Sequence, residues 1–119
     1  MSELGDLEKK IMDVVWQKNK VYVKDVYDEL KKERDIAPTT VSTILDRLYH
    51  KGLVGRYLTK DGGLRYVYYP RISKEEFAKE LLRKAVQGVI EKLEDPLIAS
   101  ILGSKDIEEL RRRLEKIAP

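Results

Sequence analysis

Apolar residues recur at helical spacing over much of the chain, and the clearest run lies in residues 37–53. Its apolar positions follow the i, i+3, i+4, i+7 pattern that places side chains on one face of an α-helix; they are Val41, Ile44, Leu45 and Leu48. Pro38 suits the first helical position because its φ angle is fixed, and Gly52 suits the position just past the end. The pattern therefore predicts a helix over residues 38–51.

The opposite face of this helix carries short polar side chains, where an ordinary exposed helix carries Lys, Glu, Gln or Ala. These side chains are Thr39, Ser42, Thr43, Asp46 and His50, with Thr40 and Arg47 at one flank. Ser and Thr lower helix propensity by up to ~0.7 kcal/mol each, so helix stability does not favour them. Short hydroxyl groups permit a close approach to a second surface and can reach base edges in a DNA major groove. The helix alone leaves open the alternative that it packs under a loop.

Two further helices are predicted ahead of this one. The first spans residues 6–18, and its apolar positions are Leu4, Leu7, Ile11 and Val14, with Trp16 expected in the core. The second follows an extended piece at residues 21–23, and its apolar positions are Val23, Val26, Tyr27 and Leu30. A short connection then leads into the Thr-rich helix. Two helices joined in this way, the second with a face of short polar groups, have the outline of a helix-turn-helix.

Two runs rich in β-formers, residues 53–59 and 64–69, follow the helices. The segment between them, Lys60-Asp61-Gly62-Gly63, has the Asp and Gly residues of a hairpin turn. Three helices followed by a hairpin with a basic tip is the element order of a winged helix. We expect Lys60 and Arg65 to contact phosphates, the alternative being that they serve solubility alone. Tyr66 and Tyr68 are expected to cover the helical core, and Arg56 is equally suited to pairing with an acidic side chain.

From residue 73 onward the pattern is helical throughout. Ser73 and Glu76 form a capping box, Asp95-Pro96 opens a short helix that ends at Gly103, and a last helix with heptad spacing begins at Ser104. Three helices of fewer than about fifty residues rarely support a core of their own, so we expect them to pack on a second copy. The residues expected at that interface are Phe77, Leu81, Leu82, Val86, Val89, Ile90, Leu97, Ile101, Ile107, Leu110 and Leu114. The alternative is that residues 73–119 fold back on their own chain.

The predicted fold is thus mostly α with a small β-hairpin. Residues 1–72 are expected to form a winged helix-turn-helix DNA-binding domain, and residues 73–119 a helical dimerisation region. The distribution of charge agrees with this division, although the net charge is only +3. Residues 38–71 hold six Lys or Arg against two Asp, a net of +4, whereas residues 1–37 carry −1 and residues 72–119 carry zero. The excess positive charge therefore lies in the Thr-rich helix and the hairpin.

Composition excludes several other classes of protein. The sequence has no Cys and one His, so disulfides, thiolate metal sites and an imidazole cluster are not expected. It has no Gly-rich phosphate loop and no His with plausible base partners, so we expect neither catalytic residues nor a cofactor. No apolar run approaches the ~18 residues of a membrane helix, and the acidic N-terminus is unlike a signal peptide. We therefore expect a cytoplasmic homodimer whose function is to bind double-stranded DNA.

Two alternatives have the same fold but do not read a specific DNA sequence. A winged helix can serve as a protein-interaction module, or as an architectural DNA-binding module without sequence specificity, because fold alone does not specify the partner. Asp46 bears on this choice, because a carboxylate near phosphates weakens binding. It must either accept a hydrogen bond from a cytosine amino group or pair with His50 one turn away, and we expect the pairing.

The sequence also resembles a known family, the penicillinase repressors (BlaI/MecI/CopY). The resemblance lies in the segments 4–16 and 37–53, in Tyr66-Val-Tyr-Tyr-Pro70, and in Ser73-Lys-Glu-Glu76. It implies a homodimeric winged-helix repressor that binds palindromic operators and dimerises through its C-terminal helices. It places the recognition helix at residues 38–51 and the wing at residues 59–65. Thr39, Thr40, Ser42 and Thr43 are then near DNA, with Lys60 on the wing.

The chain departs from two of the family's patterns. The resemblance associates the antibiotic-responsive members with cleavage at an Asn-Phe pair in the C-terminal helices, and the nearest counterpart here is Ser100-Ile101. It associates the copper-responsive members with Cys-x-Cys pairs, and this sequence contains no Cys. The sequence therefore leaves the inducing signal unknown.

Overall fold

The structure, a computed structural model, describes residues 4–117. Within that range the chain forms six helices and a two-stranded antiparallel sheet, and it divides into two compact units after Ser73. The helices and strands are α1 (Asp6–Lys18), α2 (Val23–Leu30), α3 (Pro38–His50), β1 (Val54–Thr59), β2 (Arg65–Pro70), α4 (Lys74–Lys92), α5 (Pro96–Leu102) and α6 (Ser104–Ile117). The predicted fold class, mostly helical with one hairpin, is confirmed. No described helix has the length and apolar character needed to cross a membrane.

The first unit is a three-helix core closed by the hairpin. Helices α1, α2 and α3 all contact one another, and β1 and β2 contact α3 and α1 respectively. The predicted apolar stripe of α3 is buried: Ile44 is 6% exposed, and Val41, Leu45 and Leu48 are fully buried. Burial of one such side chain contributes about 1.5–3 kcal/mol, so the stripe fixes which face of α3 points outward.

Two local predictions in this unit need correction. The extended piece expected at residues 21–23 is shorter, because only Val21 pairs with the hairpin, through two backbone hydrogen bonds to Tyr68 of 2.9 and 2.8 Å. Helix α2 already begins at Val23, since the Asp25 carboxylate accepts a hydrogen bond of 2.8 Å from the Tyr22 amide and caps the first turn. Trp16 is only half-buried, and its indole N–H donates a 2.9 Å hydrogen bond to the Ile72 carbonyl.

The hairpin pairs in a single register from Val54 opposite Pro70 to Thr59 opposite Arg65. Its turn contains Gly62 and Gly63 at φ of +69° and +106°, values that L side chains rarely adopt. The expected turn is therefore confirmed. Tyr68 is buried, as predicted, whereas Tyr66 is 38% exposed and does not cover the core.

The second unit contains α4, α5 and α6, with α6 in contact with both of the others. Asp95 accepts a hydrogen bond of 2.9 Å from the Leu97 amide and Pro96 occupies the first position of α5, which confirms the predicted start of that helix. Among the residues predicted at the dimer interface, Phe77, Val86 and Ile90 are already buried in the single chain. The remainder are exposed or half-buried: Leu81, Leu82, Val89, Leu97, Ile101, Ile107, Leu110 and Leu114.

Candidate nucleic-acid interface

The polar face of α3 is exposed. Every side chain predicted to meet DNA on this helix is exposed, and these are Thr39, Thr40, Ser42, Thr43 and Arg47. Thr39, Thr40, Thr43 and Arg47 together line a shallow depression along one side of the helix. Because the buried stripe lies on the other side, α3 offers these short groups to the exterior without any rearrangement of the core.

The first turn of α3 has no side-chain cap. Ala37 occupies the N-cap position in an extended conformation and provides no side-chain acceptor, while Pro38 follows at the first helical position. No carboxylate lies in the first turn. The positive end of the helix dipole is therefore not neutralised by a local side chain, which favours an approaching phosphate.

The hydroxyl groups of this face are not equivalent. Thr43 donates its hydroxyl proton to the Thr39 carbonyl one turn earlier, over 2.9 Å. Thr43 can therefore offer a base only an acceptor oxygen or its methyl group. No such intrahelical bond is formed by the Thr39 or Ser42 hydroxyl among the described residues, so these two remain available both as donors and as acceptors.

Asp46 is paired, but not mainly with the residue expected. Arg56 in β1 donates a hydrogen bond of 2.7 Å from Nη1 to Asp46 Oδ1, whereas His50 Nδ1 lies 3.8 Å from the same oxygen. His50 Nδ1 lies closer, at 2.9 Å, to the Asp46 main-chain carbonyl. The hydrogen bond from Arg56 holds the pKa of Asp46 below its usual value and raises that of Arg56. The predicted pair with His50 is therefore present as the longer of two contacts, because the hairpin brings a permanent cation closer to the same carboxylate.

Arg56 also packs against two aromatic rings. Its guanidinium carbon lies 3.9 Å from the ring centre of Tyr49 in α3 and 4.3 Å from that of Tyr66 in β2. Only 17% of the Arg56 side chain is exposed. This contact explains why Tyr66 leaves the core, since it covers the arginine instead. The predicted pairing of Arg56 with an acidic side chain is confirmed. Sequence spacing gave no indication of the two rings, because the members of the cluster come from three separate elements.

The two cations predicted on the wing occupy different positions. Lys60 stands exposed at the turn. Arg65 instead donates a hydrogen bond of 3.0 Å from Nε to the Asp61 carbonyl, and its guanidinium carbon lies 3.5 Å from the ring centre of Tyr22. Lys60 is therefore available to a phosphate as it stands, whereas Arg65 secures the wing against the start of α2.

Helices α1 to α3, the exposed polar face of α3 and the hairpin with a cation at its turn define a winged-helix DNA-binding domain. The chain matches the penicillinase repressor family over residues 4–116 and belongs to that family. The resemblance inferred from the sequence is thereby confirmed. The members of this family are transcriptional repressors and not enzymes.

Individual relatives agree with this assignment. The methicillin resistance regulatory protein MecI of Staphylococcus aureus N315 is 27% identical over 119 residues, which cover 96% of this chain and 94% of that protein. The transcriptional regulator BlaI of Mycobacterium tuberculosis H37Rv is 44% identical over a shorter stretch of 55 residues, which cover 45% of this chain and 40% of that protein.

Two solved structures share the fold. The solution structure of the DNA-binding domain of the repressor BlaI superposes with a TM-score of 0.52 at 31% identity, covering 62% of this chain and 87% of that one. The monomeric form of Bacillus licheniformis BlaI in complex with the blaP half-operator gives a TM-score of 0.52 at 28% identity, covering 63% and 88%. The second of these is a winged helix bound to operator DNA.

Proposed function

We propose that this protein is a homodimeric repressor that binds a palindromic operator. In this proposal α3 lies in the major groove, and the wing, residues 59–65, lies on the phosphate backbone. The single observation that carries it is the exposed face of short hydroxyl side chains on α3, opposite a buried apolar stripe and followed by the exposed Lys60. The solved complex of monomeric BlaI with the blaP half-operator supports operator DNA as the ligand of this fold.

The side chains divide into readers of bases and contacts to the backbone. Thr39, Ser42 and Thr43 are assigned to base edges, because hydroxyl groups of this length reach them from a helix in the groove. Thr40 and Arg47, on the flank, position the helix on the backbone, as Lys60 does from the wing. Arg65 would have to leave the ring of Tyr22 to contact a phosphate. We therefore assign the phosphate contact of the wing to Lys60 first.

Dimerisation is inferred from the apolar surface of the second unit. Neither α5 nor α6 has a buried residue in the single chain, although both contain several large apolar side chains. Leu97 and Ile101 of α5 are 66% and 71% exposed. A second copy would cover them, and two linked winged helices would read a two-fold symmetric site with much higher specificity than one.

Acting on the genome, such a protein would reside in the cytoplasm.

The alternative is a winged helix that binds a protein, or binds DNA without sequence preference. The confinement of excess positive charge to residues 38–71 favours nucleic acid over a protein partner. The short side chains of α3 favour sequence reading, since a purely architectural binder gains more from Lys and Arg on that face.

The proposal is tested by selecting retained sequences from a pool of random duplexes at two salt concentrations. We expect a motif with two-fold symmetry, and an affinity that falls by about 0.9 log unit per log unit of salt for each phosphate contacted. A motif without symmetry would overturn the dimeric mode of binding. Retention without a motif would favour the architectural alternative, and no retention at the lower salt would favour a protein partner.

A further inference from the structure

Arg56 joins α3 to both strands of the hairpin whose tip is the wing. Its guanidinium group bonds Asp46 of α3 at 2.7 Å and lies on the ring of Tyr49, from the same helix. From the other side it lies 4.3 Å from the ring centre of Tyr66, in β2. An ordinary surface ion pair contributes little, because both side chains are mobile and solvated. Here the arginine is 17% exposed and held by aromatic rings from two elements.

We infer that Arg56 is a positioning residue: through Asp46, Tyr49 and Tyr66 it fixes the wing relative to α3 and neutralises the carboxylate on the DNA-facing side of that helix. This inference rests on the proposed function, because it specifies how the two parts of the DNA-binding surface are held together. None of the DNA contacts proposed above involves Arg56.

The neutralisation has a clear electrostatic reason. Asp46 is the one acidic residue in α3, and it lies four positions after Ser42 and three after Thr43, on the polar face. Its side chain is 55% exposed. A free carboxylate there would repel the phosphates that the helix must approach. The hydrogen bond from Arg56 compensates that charge before DNA arrives.

The positioning role has a geometric reason. The wing is the tip of a two-stranded ribbon, β1 and β2, and such a ribbon is marginally stable by itself and depends on contacts with the helices for its orientation. Arg56 is paired with Tyr68 across the ribbon, so its side chain emerges within β1 and not at the turn. Fixing the position of Arg56 determines where Lys60, four residues further along the chain, meets the phosphate backbone of the DNA.

The first arm of the test measures operator affinity and its salt dependence. We expect Arg56→Gln and Arg56→Lys each to weaken operator binding about tenfold. Glutamine loses the positive charge and the guanidinium group, whereas lysine keeps the charge but loses the planar contact with both rings. The slope of log affinity against log salt should stay at the wild-type value. Lys60→Ala provides the comparison, since loss of a direct phosphate contact should lower the slope by about 0.9. Lys10→Gln, which removes an exposed ion pair with Glu33 in the same unit, is the matched control with no expected effect.

Substitution of Asp46 distinguishes the two parts of the role of Arg56, which are neutralising the carboxylate and positioning the wing. Asp46→Asn alone keeps the shape and an acceptor for Arg56, so it should bind within about threefold of wild type. Adding Asp46→Asn to Arg56→Gln should recover part of the loss, because the unpaired carboxylate is removed. Wild-type affinity in Arg56→Gln, or a slope lowered as far as in Lys60→Ala, would overturn the inference. The second result would make Arg56 a direct phosphate contact.

The second arm uses the free protein and does not depend on DNA. Amide hydrogen exchange in β1 and β2 should be faster in Arg56→Gln and Arg56→Lys than in wild type or Lys10→Gln, while exchange in α1 stays unchanged. Unchanged exchange in the wing would overturn the positioning role, whatever the binding data show. Absence of DNA binding by the wild-type protein would overturn the proposed function instead. Circular dichroism identifies a variant that fails to fold, and the other substitution at Arg56 then provides the result.

Discussion

Lys51 Nζ lies 2.9 Å from Glu8 Oε2 and thereby ties the end of the recognition helix to the first turn of α1. The two side chains are only 24% and 15% exposed. The hydrogen bond from Lys51 lowers the pKa of Glu8, against the opposing effect of burial. The pair therefore holds the C-terminal end of α3 against α1, while the apolar stripe of α3 holds the helix along its length.

This ion pair predicts a specific dependence of stability on pH. A carboxylate whose pKa is lower in the folded state stabilises the protein above its unfolded pKa of about 4.3, and that contribution is lost as the pH falls through the folded value. Glu8→Gln should therefore lower the free energy of unfolding by about 1 kcal/mol at pH 7. The difference from wild type should close as the pH falls below about 4. Urea unfolding of both proteins across this range measures it.

Glu33→Gln is the control for this experiment, because Glu33 belongs to an exposed pair with Lys10. It should change the free energy of unfolding at pH 7 by less than about 0.5 kcal/mol. A difference between wild type and Glu8→Gln that persists undiminished at pH 2 would show that the carboxylate charge is not the cause.

Gly55 in β1 lies directly beneath the ring of its neighbour across the hairpin, Tyr69. A Cβ atom at this position would lie 2.3 Å from Cζ of the Tyr69 ring, which covers the glycine. Gly55→Ala should therefore displace Tyr69 and lower the free energy of unfolding by about 1–2 kcal/mol, a decrease in Tm of roughly 4–8 °C per kcal/mol. Thermal unfolding of the variant provides the measurement.

The same substitution in a Tyr69→Ala background isolates this contact. With the ring removed, Gly55→Ala should have little effect, so the two changes should be strongly non-additive. Additive losses would mean that the glycine is needed for its backbone and not for the space under Tyr69.

The proposed dimer predicts that one charge on α5 separates the protomers. Ile101→Glu, at a side chain 71% exposed in the single chain, would place an unpaired carboxylate in the interface. This costs roughly 3 kcal/mol, so the dimer dissociation constant should rise by about a hundredfold. Sedimentation velocity over a range of concentrations detects the change. Lys105→Glu, at an exposed polar position in α6, is the control, and an equal effect from both would show that charge and not the apolar surface governs association.

The helices and the hairpin could be predicted from the sequence because their patterns are local. The stripe of Val41, Ile44, Leu45 and Leu48 repeats at the helical period, and the Asp-Gly-Gly turn specifies its backbone. The exposed positions of the Thr-rich face follow directly, because they lie opposite that stripe. These features needed no knowledge of what packs against them.

The contacts that hold the site together could not be predicted in this way. Glu8 and Lys51 are 43 residues apart, and no periodicity connects them. Arg65 looked like a phosphate contact because it follows the turn, but its ring partner Tyr22 belongs to a different element. Asp46 was matched to His50 by helical spacing, whereas the hairpin supplied the stronger partner, Arg56. Each of these depends on how separate elements meet.

Base reading by α3 is tested most directly by comparing the operator motifs selected by Ser42→Ala and by Lys60→Ala with that of the wild type. If α3 reads bases and the wing holds phosphates, Ser42→Ala will relax the preferred base at one position, and it will do so symmetrically in both half-sites. Lys60→Ala will leave the motif intact, weaken binding to all sequences alike, and lower the salt slope by about 0.9. An unchanged motif in Ser42→Ala together with an altered one in Lys60→Ala would contradict base reading by α3 and phosphate binding by the wing.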